Sequence, residues 1–536
     1  MLERIKNNTA KKIARIKELG IAAKLILLLM TVSAAVIFAL VFKSIVSFEL
    51  NHAYNWDSPL YWAVGRGMIN GLKPYAEMYE NKPLGIFLVS ALSFLLTDDT
   101  VICNIVSVLA VFLTAILPVT AIIGDRKTTE KNDNAAVMCA SGYMIVLFTG
   151  LMLAFYSEKR SGGFQVEAIG AAFSILFICL VKKRKNDESR PKRVILTLSS
   201  ALAVCCAVMF KEPFLLISVF GALLFVDSFK GFLRNILLPC LIGGAFFAAV
   251  LAVTGVFVPY FTIYFKQMFE TRLSGSSAFL RAFNVLKVFK DLWRVSHFLF
   301  VLILLLMTLM LLRMFLNRKS TAGFVFDVVK VIAAVFIASF CVGLGGQYFN
   351  HHYVFAVPVY CAFVIIGSPF LFQFKPQRIP VTVSVLLLGV LILISSARKI
   401  GLPYKYSHTE DFSLVKTKAE YVDLLLDYYG AERYQFIGFN EDEKFFGLTK
   451  HSPQGPVFVQ DPVNFISKNT WFYQSFAEQL NECDVIILDY YSAPGTLELV
   501  ETPVESDFTE TPAREFDVSP PDGFDCQIYY RTSKFG

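Results

Sequence analysis

After an apolar run at 25–43, the chain reads Asn51-His52-Ala53-Tyr54-Asn55-Trp56-Asp57-Ser58-Pro59. An apolar stretch to Asn70 follows, then Gly71-Leu72-Lys73-Pro74-Tyr75-Ala76-Glu77-Met78-Tyr79-Glu80-Asn81-Lys82-Pro83, and a new apolar run opens at Leu84. Ser58 before Pro59 predicts an N-cap with proline at the first helical position, and Asn70-Gly71 predicts the stop. Leu60, Val64 and Met68 recur every four residues beside Tyr61 and Trp62. That pattern predicts a helix lying flat at a membrane interface. With Ser58 filling the cap, the Asp57 carboxylate is left to face a cavity at membrane level. The bland alternative is a favourable negative charge at the helix N-terminus.

The flanks decide what kind of chain carries this loop. Of 536 residues, 55% are hydrophobic and 17% charged, with a mean hydropathy of +0.55. Soluble chains carry about 25% charged residues, so a soluble, disordered or nucleic-acid-binding protein is excluded. Apolar runs lie at 25–43, 84–96, 101–123, 135–155, 164–181, 194–210, 213–229, 235–258, 297–316, 322–344, 353–374 and 380–396. Most reach the ~17–25 residues that a membrane-crossing helix needs, whereas 84–96 is short enough to be re-entrant or interfacial. The loops at 124–134, 182–193, 230–234, 313–319 and 375–378 carry 17 Lys and Arg, against 9 in the alternating loops 156–163, 211–212 and 259–296. The positive-inside rule then makes the first set cytoplasmic, together with the basic N-terminal segment 1–24. The fold class is therefore a polytopic α-helical membrane protein with about eleven crossings plus interfacial helices. Its membrane domain is 25–396, its first outer loop 44–83, and its location the plasma membrane with the N-terminus cytoplasmic.

Residues 1–399 hold 40 Lys+Arg against 20 Asp+Glu, while 400–536 hold 10 against 23. A basic, apolar body thus joins an acidic, polar domain at 397–536, outside the membrane. Helix patterns near 414–429 and 470–482 alternate with strand patterns at 434–439, 485–489 and 527–530, which predicts a small α/β layer. Cys483 and Cys526 are the two cysteines of this tail and could pair. The other eight of the ten sit in or at the ends of apolar runs as small hydrophobes.

Several motifs together resemble a family. Trp56-Asp57, Tyr61, Gly71 to Glu77 and Asn81-Lys82-Pro83-Leu84 after a first membrane helix resemble the GT-C glycosyltransferases. The narrower likeness is to the branch of protein-mannosyltransferase-like and aminoarabinose-transferase-like enzymes. Phe210-Lys211-Glu212-Pro213 and His351-His352-Tyr353 with Pro358 are similar to further motifs of that branch. The resemblance implies transfer of a sugar from a polyprenyl-phosphate donor to an acceptor hydroxyl, with inversion, at the outer membrane face. It implies Asp57 as the base, with Lys82, Lys211 and His351 or His352 neutralising the departing phosphate. Tyr61, Glu77, Glu80, Glu158 and Glu167 become candidate acceptor or substrate residues. Partners would be the lipid-linked sugar, the bilayer, and an envelope glycan, lipid or protein acceptor, with no nucleic acid. No metal ligands are assigned. The branch often has an Asp-Glu pair where this chain has Asp57-Ser58, so a divalent metal stays open and no cofactor is certain.

Glu167 stands a few residues inside an apolar run, and an intramembrane charge is a functional candidate by default; pairing with Lys159 is the alternative. Glu212 is expected to pair with Lys211 or to cap a helix. A lipid or sugar transporter or flippase would favour internal repeats and midplane polar groups, which the sequence lacks. A membrane scaffold whose tail does the work would leave Asp57 replaceable.

Overall fold

The computed structural model describes residues 57–123, 164–185, 190–270, 280, 282–295, 297–317, 320–344, 348, 350–371, 412–437, 445–453, 455–458, 470–489 and 507–536. The first helix, α1 (Ser58–Ile69), leads through the loop 70–83 into α2 (Leu84–Thr97) and α3 (Val101–Ile123). There follow α4 (Val166–Lys185), α5 (Arg190–Phe210) and the short α6 (Phe214–Leu223). The helix α7 runs over Phe229–Val253 with a π turn at Leu233–Leu237. Further on come α8 (Val285–Val295), α9 (His297–Asn317), α10 (Thr321–Gly343) and a 3-10 turn Asn350–Ala356 that enters α11 (Val357–Leu371). Among the described residues, Val101–Pro118, Pro191–Phe210, Phe229–Val253 and Thr321–Gly343 are long and apolar enough to cross a membrane by length and composition. The chain is a multi-pass membrane protein. One core joins α4, α5, α6, α10 and α11, while Val194, Ile195, Leu202, Val325, Val329 and Ile332 present apolar side chains outward, as lipid-facing surfaces do.

Two predicted boundaries differ. The run 213–229 is not one helix: α6 has ten residues, and Ser228 caps α7, its Oγ accepting from Gly231 N at 3.1 Å. The polar Asp227-Ser228 pair thus begins the next helix inside a continuous hydropathy signal. At α1, Asp57 holds the N-cap position and its carbonyl accepts from Leu60 N and Tyr61 N, so Ser58 falls in the first turn. The Ser58 hydroxyl instead donates to the Phe164 carbonyl across 106 residues, at 3.3 Å. Nor does α1 lie open at an interface. Tyr61 to Gly67 are all buried, because α2 covers one side and the tail the other.

The tail builds the α/β layer that its sequence pattern predicts. Helices α12 (Phe412–Tyr429) and α13 (Trp471–Glu482) accompany a four-stranded sheet of order β1-β2-β4-β3. The strands β1 (Tyr434–Ile437) and β2 (Val485–Asp489) are parallel, and β4 (Cys526–Arg531) runs antiparallel to β2 and to the short β3 (Phe508–Thr509). No disulfide joins the two tail cysteines. Asp489 pairs with Cys526 while Val485 pairs with Tyr530, which places Cys483 beyond the other end of the ladder. Six residues of strand separate the two positions by about 20 Å, far outside disulfide reach. Burial pushes the Cys483 thiol up to about 12. Asp484, at the strand's edge, is structural: its Oδ2 accepts from Glu432 N and Lys534 Nζ at 3.1 and 2.8 Å.

This tail sits on the 57–83 segment. Tyr79 N donates to Pro456 O at 2.8 Å, and the Tyr79 ring meets Trp471 and Phe472. Asn70 Nδ2 donates to the Lys450 carbonyl at 2.8 Å. A Cβ on Gly447 would stand 2.6 Å from the Pro59 carbonyl oxygen, so glycine permits backbone-to-backbone seating there.

Candidate active site

The site begins with a carboxylate that its own helix does not use. Asp57 makes no side-chain capping bond; instead its Oδ2 accepts from the Tyr61 hydroxyl, one turn along α1, at 3.1 Å. Lys82 Nζ stands 3.7 Å from the same oxygen. Lys82 is buried and is held at 2.9 Å by Asn81 Oδ1 and 3.5 Å by Glu80 Oε1. Burial pushes the Asp57 carboxyl up, but the opposing charges of Lys82 and then His351 outweigh it, leaving the group below its usual 3.8. Glu80 goes the other way, because burial prevails over Lys82.

Three further elements complete the cluster. Glu167, in the first turn of α4, is fully buried, and Lys211, in the turn between α5 and α6, approaches its Oε1 at 3.0 Å. Neither Glu167 oxygen has a partner aligned as a hydrogen bond. The 3-10 turn before α11 brings His351 and His352, their rings edge-on at 4.5 Å, to within 4.8 Å of the carboxylate. The charges of Glu167, Lys211 and His351 act on Asp57, so the two halves share one site. Asp57, Tyr61, Glu80, Lys82, Glu167, Lys211, His351 and His352 are thus brought together from positions spread over nearly 300 residues. Glu77 is not among them: it is exposed, and its Oε2 accepts from Lys73 N at 2.7 Å to close a local turn. Glu158 and Lys159 lie outside the described residues.

The donor set of Glu167, His351 and His352 has the ligand types a divalent ion accepts. The Lys211 ammonium already sits against its only carboxylate, and a metal would have to displace it. These residues therefore fit a resident metal poorly.

Aromatic groups invisible to motif reading line the neighbouring space. Glu212 does not pair with Lys211; its Oε1 accepts from the Tyr260 and Tyr264 hydroxyls at 2.9 and 2.7 Å. Their i,i+4 spacing across a π turn was the only sequence signal. Tyr75 packs on both rings and donates to the Lys82 carbonyl at 3.0 Å. It does so in a left-handed conformation, φ 70°, a cost of about 1–2 kcal/mol that the packed rings and the hydrogen bond sustain.

No family model matches the sequence, and no curated protein does. Solved structures do. ArnT from Cupriavidus metallidurans, crystallised with undecaprenyl phosphate, superposes with a TM-score of 0.55 over 94% of this chain and 98% of its own, at 13% identity. The chain has the GT-C fold. An oligosaccharyltransferase from Archaeoglobus fulgidus, in complex with zinc and sulfate, matches at a TM-score of 0.46 and 13% identity over 91% of this chain and 73% of that one. Within the GT-C fold of this chain, the cluster occupies the junction of the first loop, the entrances to α4, α6 and α11, and the tail.

Proposed function

We propose that the protein is a glycosyltransferase that moves a sugar from a polyprenyl-phosphate donor to an acceptor hydroxyl at the outer membrane face, with inversion. Asp57 Oδ2 takes the proton of the acceptor hydroxyl. The acceptor oxygen then bonds to the anomeric carbon from one side while the bond to the phosphate oxygen breaks on the other. The electron pair leaves with the phosphate, whose growing charge falls to Lys82, Lys211 and the His351-His352 pair. The single observation that carries this reading is a carboxylate kept off its helix end and set against a buried lysine, beside a second lysine and two imidazoles. ArnT, which shares the fold, was crystallised with undecaprenyl phosphate, and that supports the donor class.

Cells lacking the protein should accumulate a lipid-linked sugar and an unmodified envelope acceptor, both readable by mass spectrometry. Wild-type protein should reverse this, and Asp57→Asn, expressed at the same level, should turn over about 10²–10⁴-fold more slowly. Full reversal by Asp57→Asn would sink the assignment, and would favour a scaffold. Accumulation on the inner leaflet alone would favour a flippase.

A further inference from the structure

The end of the helix bundle opposite Asp57 holds a second polar site. A cavity of about 390 Å³ is lined by Arg184, Arg193, Asp227, Ser228, Lys230 and Arg234. Glu167 and Arg184 share α4, and the stretch between them spans about 26 Å of helix, close to the thickness of a bilayer's hydrocarbon. The cavity and the candidate active site therefore belong to opposite membrane faces.

Among the described residues four cations meet one carboxylate here, and the innermost cation is the telling one. Arg184 is 5% exposed; its Nη1 donates to the Arg234 carbonyl, and its Nε has no hydrogen-bond partner. Among the described residues, the charges that act on it are those of Arg234 and Arg193, so like charges converge on a buried guanidinium. Left alone, that arrangement is unfavourable. An anion with several oxygens relieves it, since a guanidinium fork matches phosphate geometry. The first turn of α7 opens at the same place behind its Ser228 cap, adding the positive end of a 25-residue helix. The cavity wall is fixed from behind. Lys330, buried with Asp327 at 2.7 Å, donates to the carbonyl of Val226 at 3.0 Å, and Val226 lines the cavity. Next in sequence to lining residues, Phe229, Val194 and Ile195 are 75%, 54% and 63% exposed, apolar surface available to acyl chains.

We propose that this cavity binds a phosphate ester, with Arg184 as the buried anchor and Arg193, Lys230 and Arg234 as its outer contacts. That exposed apolar surface makes the headgroup of an anionic phospholipid its source. The site stands independently of the sugar-transfer reading, because it shares no residue with it.

The test uses the full chain, purified in detergent and stripped of lipid. Native mass spectrometry compares retention of phosphatidylglycerol and phosphatidylcholine, and thermal unfolding is followed with and without inorganic phosphate. The wild type should retain one phosphatidylglycerol in preference to phosphatidylcholine. Arg184→Gln, and separately the exposed pair Lys230→Gln with Arg234→Gln, should weaken that retention about tenfold or more. Stabilisation by inorganic phosphate that the variants lose, without lipid retention, supports the phosphate site and assigns it a soluble ligand. Lipid retention unchanged in the exposed double variant overturns the proposal even if Arg184→Gln fails to fold. So does phosphatidylglycerol held no better than phosphatidylcholine with no response to phosphate.

Discussion

At Asp57 two requirements of a general base meet: the group must be ionised at working pH, and it must not be consumed by local structure. The second was legible in part. The sequence placed the carboxylate at a helix start but gave the cap to Ser58; the helix begins one residue earlier, and Asp57 is free because its side chain turns to Tyr61 and Lys82. The first depends on a long-range neighbour that no local pattern contains. Lys82 lowers the Asp57 carboxyl more than any other charge does. The ionised form is thus the one the fold stabilises, a contribution present above the ordinary aspartate value and lost as pH falls through the lowered one. Lys82→Met should therefore move the acid limb of the pH profile of kcat/KM upward, because the carboxyl then protonates at higher pH. It should also cut kcat about 10²–10³-fold through the lost phosphate contact. A profile with an unmoved acid limb would show that Lys82 acts on the leaving group alone. Tyr75 and Glu212 were out of reach for a different reason. Their partners, Tyr260 and Tyr264, lie 185 and 189 residues beyond Tyr75 and 48 and 52 beyond Glu212, in a stretch whose sequence reads as an outer loop.

Among the elements, α2 shows how a short apolar run can serve the site and the tail together. It begins beside Lys82, yet its far end also faces the tail: Asp98 pairs with Arg66 of α1 at 2.5 Å, and Asp99 with Lys416 of α12 at 3.5 Å. The Asp99–Lys416 pair is open to solvent and worth at most about 1 kcal/mol, so it reports position more than it secures it. What secures it is close packing, for a Cβ on Gly65 would meet Ser90 Cβ at 2.3 Å. The length of the run points to an interfacial or re-entrant segment, and the ion pairs tie its far end to α1 and to the tail. The same reasoning makes Gly447 a sensitive point. Gly447→Ala puts a methyl group against the Pro59 backbone, two residues from Asp57, and overpacking of this kind costs about 1–3 kcal/mol. The variant should lose thermal stability by that amount and transfer activity with it. An active variant of unchanged stability would mean that the tail does not need this contact.

Over the whole molecule, hydropathy and loop charge gave the class of fold, and alternation gave the tail sheet, because both are properties of contiguous sequence. They did not give the relation between the two parts. The tail rests on the 57–83 loop through Tyr79, Asn70 and Gly447, so loop and tail occupy the same side of the membrane. The chain between residues 83 and 412 must then cross an even number of times. If α2 stays at the interface, the remaining apolar runs in that interval number ten and satisfy this; counting 84–96 as a span makes eleven and does not. The positive-inside reading of the loops predicts that the shared side is external. Reporter fusions after residues 128 and 420 should accordingly lie on opposite sides, cytoplasmic for the first and external for the second. Fusions on the same side, with loop and tail in contact, would mean that 84–96 crosses, and would overturn the interfacial placement of α2.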